Sequence, residues 1–570
     1  MSLYLYILLL LATFFFVSTS SFNLEKKKVN DEVEHTAVLI IGGGMAGVSA
    51  ANTLSLSGVT DFILIESQER IGGRMTQAVF NNNYTVELGP MWIQEINLPE
   101  GNIIWDLHYQ LTPPLTGAFS SFVNATVFDE GIHLNLTEQI KVQFRAIRFL
   151  GEIFLLAKEM KKKNARDISI GAALSLVGWE PLNSAEAVSM FALTQLSLAD
   201  DINNLSLYNF FYLVDEEGNG EKKSQSQPGW VLAYASSRNF IQAALKAVSI
   251  FNEKKEHVTL EDFKMIDKIL NAQKTDGSTN NWLVIDKRGY VEIANYIAKS
   301  FLVDNDPRLR LSTIVKSVDY SDSSLPITVT LTNGHVITAD RVICTVSMGV
   351  LKASLAISSL NNNKLLSGRS ESDGGGIVFT PNFTLEWQRA LSHLDMGIFL
   401  KLFIQFPTHF WAEHTQLMLR GSANLTYASY FNFDTMGFPT DSHILCVVVV
   451  GSEAKRVELM AEADIRADIM SALKTMFTDI PDPIGEVLWK AWGVDPNFLG
   501  TYSGRLPGFD MNDFNAIKTP LAGANGEGLV HFAGEAYILA NYGYVHSAYY
   551  SGQETAGNVI ASMSSQKAVF

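Results

Sequence analysis

The sequence predicts an α/β protein of two domains, one of them discontinuous along the chain. Three observations carry this. An apolar strand runs through a glycine-rich turn into a helix between residues 35 and 66, helical periodicity occupies residues 138–272, and strand-like patterning resumes at Asn281. With 570 residues, 47% of them hydrophobic, the chain is long enough for two or three domains or one large two-domain enzyme.

The first element is the strand Ala37 to Ile41, an unbroken apolar run that leads into Gly42, Gly44 and Gly47 at the G-x-G-x-x-G spacing. Gly42 permits a tight turn, Gly44 leaves room for a pyrophosphate against the backbone, and Gly47 lets the next helix pack on the strand. Met45 and Ala46 then open a helix whose N-terminus faces the phosphates. A second strand, Phe62 to Ile65, ends at Glu66, 24 residues beyond Gly42, where a carboxylate accepts hydrogen bonds from a ribose. Together these predict a Rossmann-like nucleotide-binding domain. Gly72, Gly73 and Arg74 complete the order E-x-x-x-R-x-G-G-R, which resembles the second phosphate-contacting turn of FAD-binding flavoenzymes.

Residues 3–17 form an apolar run followed by the small polar stretch Ser18 to Ser21. A membrane span needs about 20 apolar residues, so residues 1–21 suit a signal peptide, with an uncleaved anchor as the alternative. N-x-S/T sequons at Asn83, Asn124, Asn135, Asn204, Asn382 and Asn424 agree with export, so a secreted glycoprotein is expected, with no stable membrane span once the leader is removed. The two cysteines, Cys344 and Cys446, lie inside apolar runs and read as buried thiols, and no metal-ligand cluster can be drawn. A net charge of −16 argues against nucleic acid as a partner and is compatible with a cationic small molecule or with plain acidic solubility.

Glu138 to Lys163 carries apolar residues at helical spacing, and Leu232 to Ala272 reads as further helices broken near Glu256. Glu216 to Gly229 and Asn361 to Gly376 are loops by composition. Strand-like language covers residues 281–301. Asn333-Gly334 marks a hairpin, and Arg341 to Val346 reads as a buried strand ending before a turn at Gly349. The domain reading is an FAD-binding unit from residues 33–116, 282–391 and 490–565, and a substrate-binding unit from 117–281, largely helical, and 392–489.

Several segments in fixed order sharpen this: VELGPMWI (86–93), IDKRGY (285–290), RVICTVSMGVLK (341–352), MGIFLKLFIQFPTHFW (396–411), LWKAWGVDPNFLGTYS (488–503) and HFAGEAYILANYGYVHSAYYSG (531–552). From about residue 37 to 562 the chain resembles the flavin-containing amine oxidases, in particular the secreted plant-type polyamine oxidases. The resemblance implies that Gly89, Pro90, Met91 and Trp92 lie along the cofactor, that Gly534 and Glu535 close the flavin site, with Glu535 near the ribityl chain, and that Tyr544 and Val545 begin a helix at the flavin's pyrimidine end. It further implies that the backbone of Val315 reads the adenine and that Trp492 packs on the isoalloxazine. Neither cysteine matches a covalent attachment site, so the FAD is expected to be non-covalent.

Lys401 stands among Phe399, Leu400, Leu402, Phe403 and Phe406, and strand alternation puts it on the face of Phe399 and Phe403. A buried ammonium is costly unless it is paired or its pKa falls. In the family this lysine holds a water against flavin N5. Tyr502 and Tyr544 match the two aromatic walls facing the flavin, and Phe399 stands where plant members carry tyrosine. The partners implied are a cationic amine and O2.

The departures bear on substrate choice. Gln94 stands where plant polyamine oxidases carry a glutamate, with Glu95 one place later. A second tunnel acid falls near Leu213, with Asp215 or Glu216 as substitutes. Three functions follow: a polyamine oxidase producing an aldehyde, a shorter amine and H2O2; an oxidase of another amine or an L-amino acid, the latter needing a pocket arginine that no motif identifies; and a flavin-binding homologue without turnover.

Overall fold

The computed structural model describes residues 33–567 apart from 82–83, 97–100, 120–124, 212–237, 255–258, 260, 263, 267–280, 362–374, 413–414, 440 and 540. The expected leader, Asn83, Asn124, Leu213, Asp215, Glu216 and most of both composition-biased loops lie outside those residues.

Glu34–Ile41 pairs in parallel with Phe62–Ile65 on one side and with Val336–Cys344 on the other. Val336–Cys344 gathers distant chain into one nine-stranded sheet: its other edge takes Ile327–Leu331 antiparallel, then Gly528–Phe532 in parallel. The turn between Ile327–Leu331 and Val336–Cys344 contains Asn333-Gly334, with Gly334 at φ +86°, as its hairpin signal requires. Helix Met45–Leu56 lies over this sheet and under the long helix Val545–Lys567, so close that a Cβ at Gly552 would stand 2.1 Å from the Ala46 carbonyl oxygen.

A second sheet of seven strands runs in the order Ile484–Leu488, Phe399–Gln405, Ile444–Val450, Ser429–Asn432, Leu417–Gly421, Ala125–Asp129, Ile132–His133. Alternation on Phe399–Gln405 separates two cores. Leu400, Leu402 and Ile404 pack toward the helix Glu462–Met476, while Phe399 and Phe403 face the other way. Helix Leu136–Lys162 begins with a capping box between Asn135 and Glu138 and packs on Arg238–Lys254, which ends two residues before Glu256.

Two local readings change. Within the strand-like stretch 281–301 only Asn281–Val284 is a strand; Glu292–Lys299 is a helix, because Ile293, Ala294, Ile297 and Ala298 recur at a helical period and are buried. Gly349 sits in the first turn of helix Met348–Asn361, and its missing side chain admits the Leu499 carbonyl oxygen, 2.5 Å from where a Cβ would be. Among the described residues no helix is long and apolar enough to cross a membrane.

Candidate active site

A cavity of about 270 Å³ is lined by residues of both sheets, and its two ends differ in chemistry. At one end lies the glycine turn. Gly42 adopts φ +105°, and a Cβ at Gly47 would stand 1.9 Å from the Gly42 carbonyl oxygen, so neither position tolerates a side chain. A Cβ at Gly44 would meet nothing within 4 Å: this face of the turn is open. Helix Met45–Leu56 has no side-chain N-cap, leaving its first N–H groups for an anion. The residues therefore suit a pyrophosphate. Gly44, Met45 and Ala46 line the cavity, whereas Gly47 acts from beneath as a packing residue.

Glu66 also lines the cavity, with one oxygen accepting from Gly43 N–H at 2.7 Å and the other from Gln68 N–H at 2.8 Å. The second oxygen also accepts from Ser67 Oγ at 3.1 Å, so the oxygen bonded to Gly43 is the one with capacity left for a ribose hydroxyl. The E-x-x-x-R-x-G-G-R order has a physical reason: Arg70 turns back and donates to the carbonyls of Ile71, Gly73 and Met75, holding the left-handed Gly72 and Gly73 in place.

Arg74 and Glu535, far apart in sequence, form an ion pair at 3.0 Å. Glu535 accepts four hydrogen bonds, from Arg74 Nη1, Ser503 N–H, Ser503 Oγ and Gly543 N–H. Its carboxylate is thereby the knot joining the turn at 74 to the segments at 503 and 543.

Lys401, 4% exposed, points into the cavity with Phe399 beside it, and its Nζ donates to the carbonyl oxygens of Glu87 and Gly89. An ammonium has three N–H groups, so one remains for the cavity. Burial pulls the Lys401 pKa down to about 8, against the opposing influence of Cys446 and Glu87. Tyr502, Tyr544, Trp492, Gly89, Pro90, Met91, Trp92, Gly534 and Val545 complete this region. The Tyr544 ring stacks on His546 at 5.3 Å and 5°, and burial holds that imidazole near a pKa of 4, hence neutral.

Two expected site residues stand off the cavity lining, and a third falls outside the described residues. Gln94 is on the wall, but Glu95 is buried behind it with Oε2 3.9 Å from His546 Nε2, because its left-handed backbone (φ +57°) turns the side chain away. Val315 begins a strand paired with Ile327–Leu331, and its side chain lies in the sheet core outside the cavity lining. Leu213 lies outside the described residues.

The structure also supplies residues that sequence reasoning missed. Glu87, within VELGPMWI, is 4% exposed, accepts from Tyr290 N–H at 2.6 Å, and has an Oε2 without a hydrogen-bond partner among the described residues. Burial raises its pKa to about 7, opposed by the Tyr290 N–H and by the charges of Lys401 and Arg70. Asn209, Ser206 and Arg505 line the cavity, and Asp200 lies close enough to raise the Tyr502 phenol. Only the ELG segment hinted at any of these. Between about pH 4.5 and 7 the folded protein binds a proton at Glu87 that the unfolded chain releases, so this group lowers stability as pH rises through that window. Glu87→Gln is expected to flatten the fall in unfolding temperature across that range; an unaltered pH profile would show that Glu87 folds ionised.

The geometry sets an aromatic-walled chamber beside a cleft whose glycine turn, helix N-terminus and Glu66 suit a dinucleotide. A profile of the flavin-containing amine oxidoreductase family matches residues 45–560, and the chain belongs to that family. Polyamine oxidase 1 of Zea mays is 27% identical over 535 residues, covering 91% of this chain and 89% of the relative. Polyamine oxidase 7 of Oryza sativa subsp. japonica is 26% identical, covering 90% and 93%. A putrescine oxidase solved with putrescine bound shares the fold at TM-score 0.61 and 16% identity, covering 93% of this chain and 100% of that one. The protein is an FAD-containing amine oxidase.

Proposed function

We propose that the enzyme oxidises spermine- or spermidine-type amines with O2 and water to an aldehyde, a shorter amine and H2O2. Bound FAD would supply the two-electron acceptor at N5. The observation that carries this reading is Lys401: a buried cation anchored by two backbone carbonyls, with one donor left facing the aromatic chamber of Phe399, Tyr502 and Tyr544. The rings would hold the reacting amine by packing, and each adds about 0.5 to 2 kcal/mol of cation–π attraction for a neighbouring protonated nitrogen. Lys401 would hold a water at the reacting face. Cys344 and Cys446 are buried and absent from the cavity lining, which supports FAD held without a covalent bond.

Anaerobic mixing of the yellow protein with spermine, spermidine, monoamines and L-amino acids is the direct test, followed as loss of flavin absorbance near 450 nm. Rapid bleaching by a polyamine is expected; bleaching by another amine alone would reassign the substrate. That second reading is favoured by Gln94, a neutral amide on the wall. We also propose that the protein is a secreted glycoprotein. The apolar run 3–17 and the exposed sequon asparagines Asn135 and Asn424 support this, and an N-terminus starting near residue 22 with a mass loss on deglycosylation would demonstrate it.

A further inference from the structure

Behind the chamber wall formed by Gln94 and Tyr544, three chain segments bring polar side chains together in an apolar setting. The strand Trp92–Gln94 ends at the cavity, and Glu95 turns away from it. Asn102 caps the helix Ile103–Gln110, and His546 stands in the first turn of Val545–Lys567. Glu95 and His546 are each 4% exposed, and Asn102 is 1% exposed. Ile93, Ile96, Ile104 and Val545, their near neighbours along the chain, share one apolar cluster.

The helix cap sets the polarity of this group. Asn102 Oδ1 accepts from Ile104 N–H at 2.9 Å and from Trp105 N–H at 3.4 Å. Its amide nitrogen is therefore the end that donates to the Gln94 carbonyl oxygen and faces His546 Nδ1 at 3.5 Å. An amide N–H only donates, which makes Nδ1 the acceptor. Burial keeps the imidazole neutral, near a pKa of 4, so its proton sits on Nε2. That nitrogen has no hydrogen-bond partner among the described residues, and Glu95 Oε2 lies 3.9 Å from it. The group thus grips the wall at two points: through the Gln94 carbonyl, and through the His546 ring stacked on Tyr544.

The Glu95 backbone points the same way. Its φ of +57° is a conformation that glycine takes freely and that a side chain makes costly. Such strain persists only where the surrounding structure imposes it, and it clusters at functional sites. In an apolar setting an N–H and a carboxyl attract each other more strongly than in water. Contacts at functional sites are commonly long in the free protein and tighten when the ligand is bound.

We propose that Asn102, His546 and Glu95 form a positioning network that holds Gln94 and Tyr544 in place against the amine in the chamber. All three stand outside the cavity lining and act through the two residues that reach it. The inference rests on the reading that this chamber receives the amine, and it gives Glu95 a part there although its side chain is turned away.

Spermidine is the probe. With the FAD-loaded protein, its binding is read by calorimetry and from perturbation of the oxidised flavin spectrum under anaerobic conditions at early times, and the limiting rate of bleaching is read separately. Glu95→Gly relieves the strained backbone while deleting the carboxyl. Its unfolding temperature and FAD content should stay near the wild-type values, whereas the spermidine dissociation constant should rise about fivefold, the scale of one lost polar contact. Glu95→Gln, which restores an acceptor, should recover most of the affinity. His546→Phe keeps a ring against Tyr544 and loses both nitrogens; it should match Glu95→Gly, and the double variant should bind no more weakly than either single one. Wild-type affinity in Glu95→Gly, or losses that add in the double variant, would overturn the inference. Spermidine that binds with the expected pattern yet leaves the flavin oxidised would uphold the network while the oxidase reading for polyamines falls, and no binding of spermidine to the wild-type protein would overturn both.

Discussion

Replacing Lys401 with methionine is expected to slow anaerobic flavin reduction by amine roughly a hundredfold or more, the scale on which a positioned proton-handling group contributes. Methionine keeps the apolar stem but ends one atom short, so the 5.9 Å contact of Nζ with the Phe403 ring is lost with the charge. What disappears is the charge, the N–H facing the cavity and the two donors to the Glu87 and Gly89 carbonyls. FAD content and unfolding temperature, measured on the same variant, separate lost chemistry from lost structure. The wild-type rate should also show an inflection near pH 8 that the variant lacks, since burial brings Lys401 there. A reduction rate unchanged in Lys401→Met would remove the residue from the mechanism.

Glu535→Ala is expected to destabilise the protein by about 3 kcal/mol and to lower FAD retention sharply. That figure is the low end for breaking a buried ion pair, chosen because the Arg74 side chain keeps 24% exposure whereas that of Glu535 keeps 6%. The loss reaches beyond one pair. Four donors lose their acceptor, and two of them, Ser503 N–H and Gly543 N–H, belong to backbone that lines the cavity. Flavin-to-protein absorbance after gel filtration and the thermal midpoint report the two effects. Full FAD retention with an unshifted midpoint would show that the three segments are held together by other contacts.

These two residues illustrate different degrees of legibility. Lys401 was visible because its chemistry contradicts its neighbours: a cation inside an apolar strand needs a reason, and period-two alternation already set it on the face of Phe399. Glu535 was visible only through the FAGE segment, and the sequence offered no sign that its partners would be Arg74, Ser503 and Gly543. The residue beside Gln94 misled for a local reason. Glu95 adopts a left-handed backbone that buries its carboxylate near His546, and no sequence pattern marks a non-glycine residue for that conformation. The helix Glu292–Lys299 was hidden inside a strand-rich stretch because its apolar residues, flanked by Val291 and Tyr290, satisfy both periods over a short span.

The sequence by itself determined the local steps with short-range causes. A glycine whose side chain would crowd the next helix, a strand that ends in an acid and a hairpin at Asn333-Gly334 all act within a few residues and are readable, as is the fixed order of the amine-oxidase segments. Only the tertiary structure decided what shares a wall. Val336–Cys344 draws strands from residues 34–41, 327–331 and 528–532 into one sheet. That assembly accompanies the meeting of Lys401 with Glu87 and of Glu95 with His546. Hydrogen-bond registry and apolar packing act through space between segments hundreds of residues apart, and neither spacing nor composition encodes which polar groups they leave facing the same cavity.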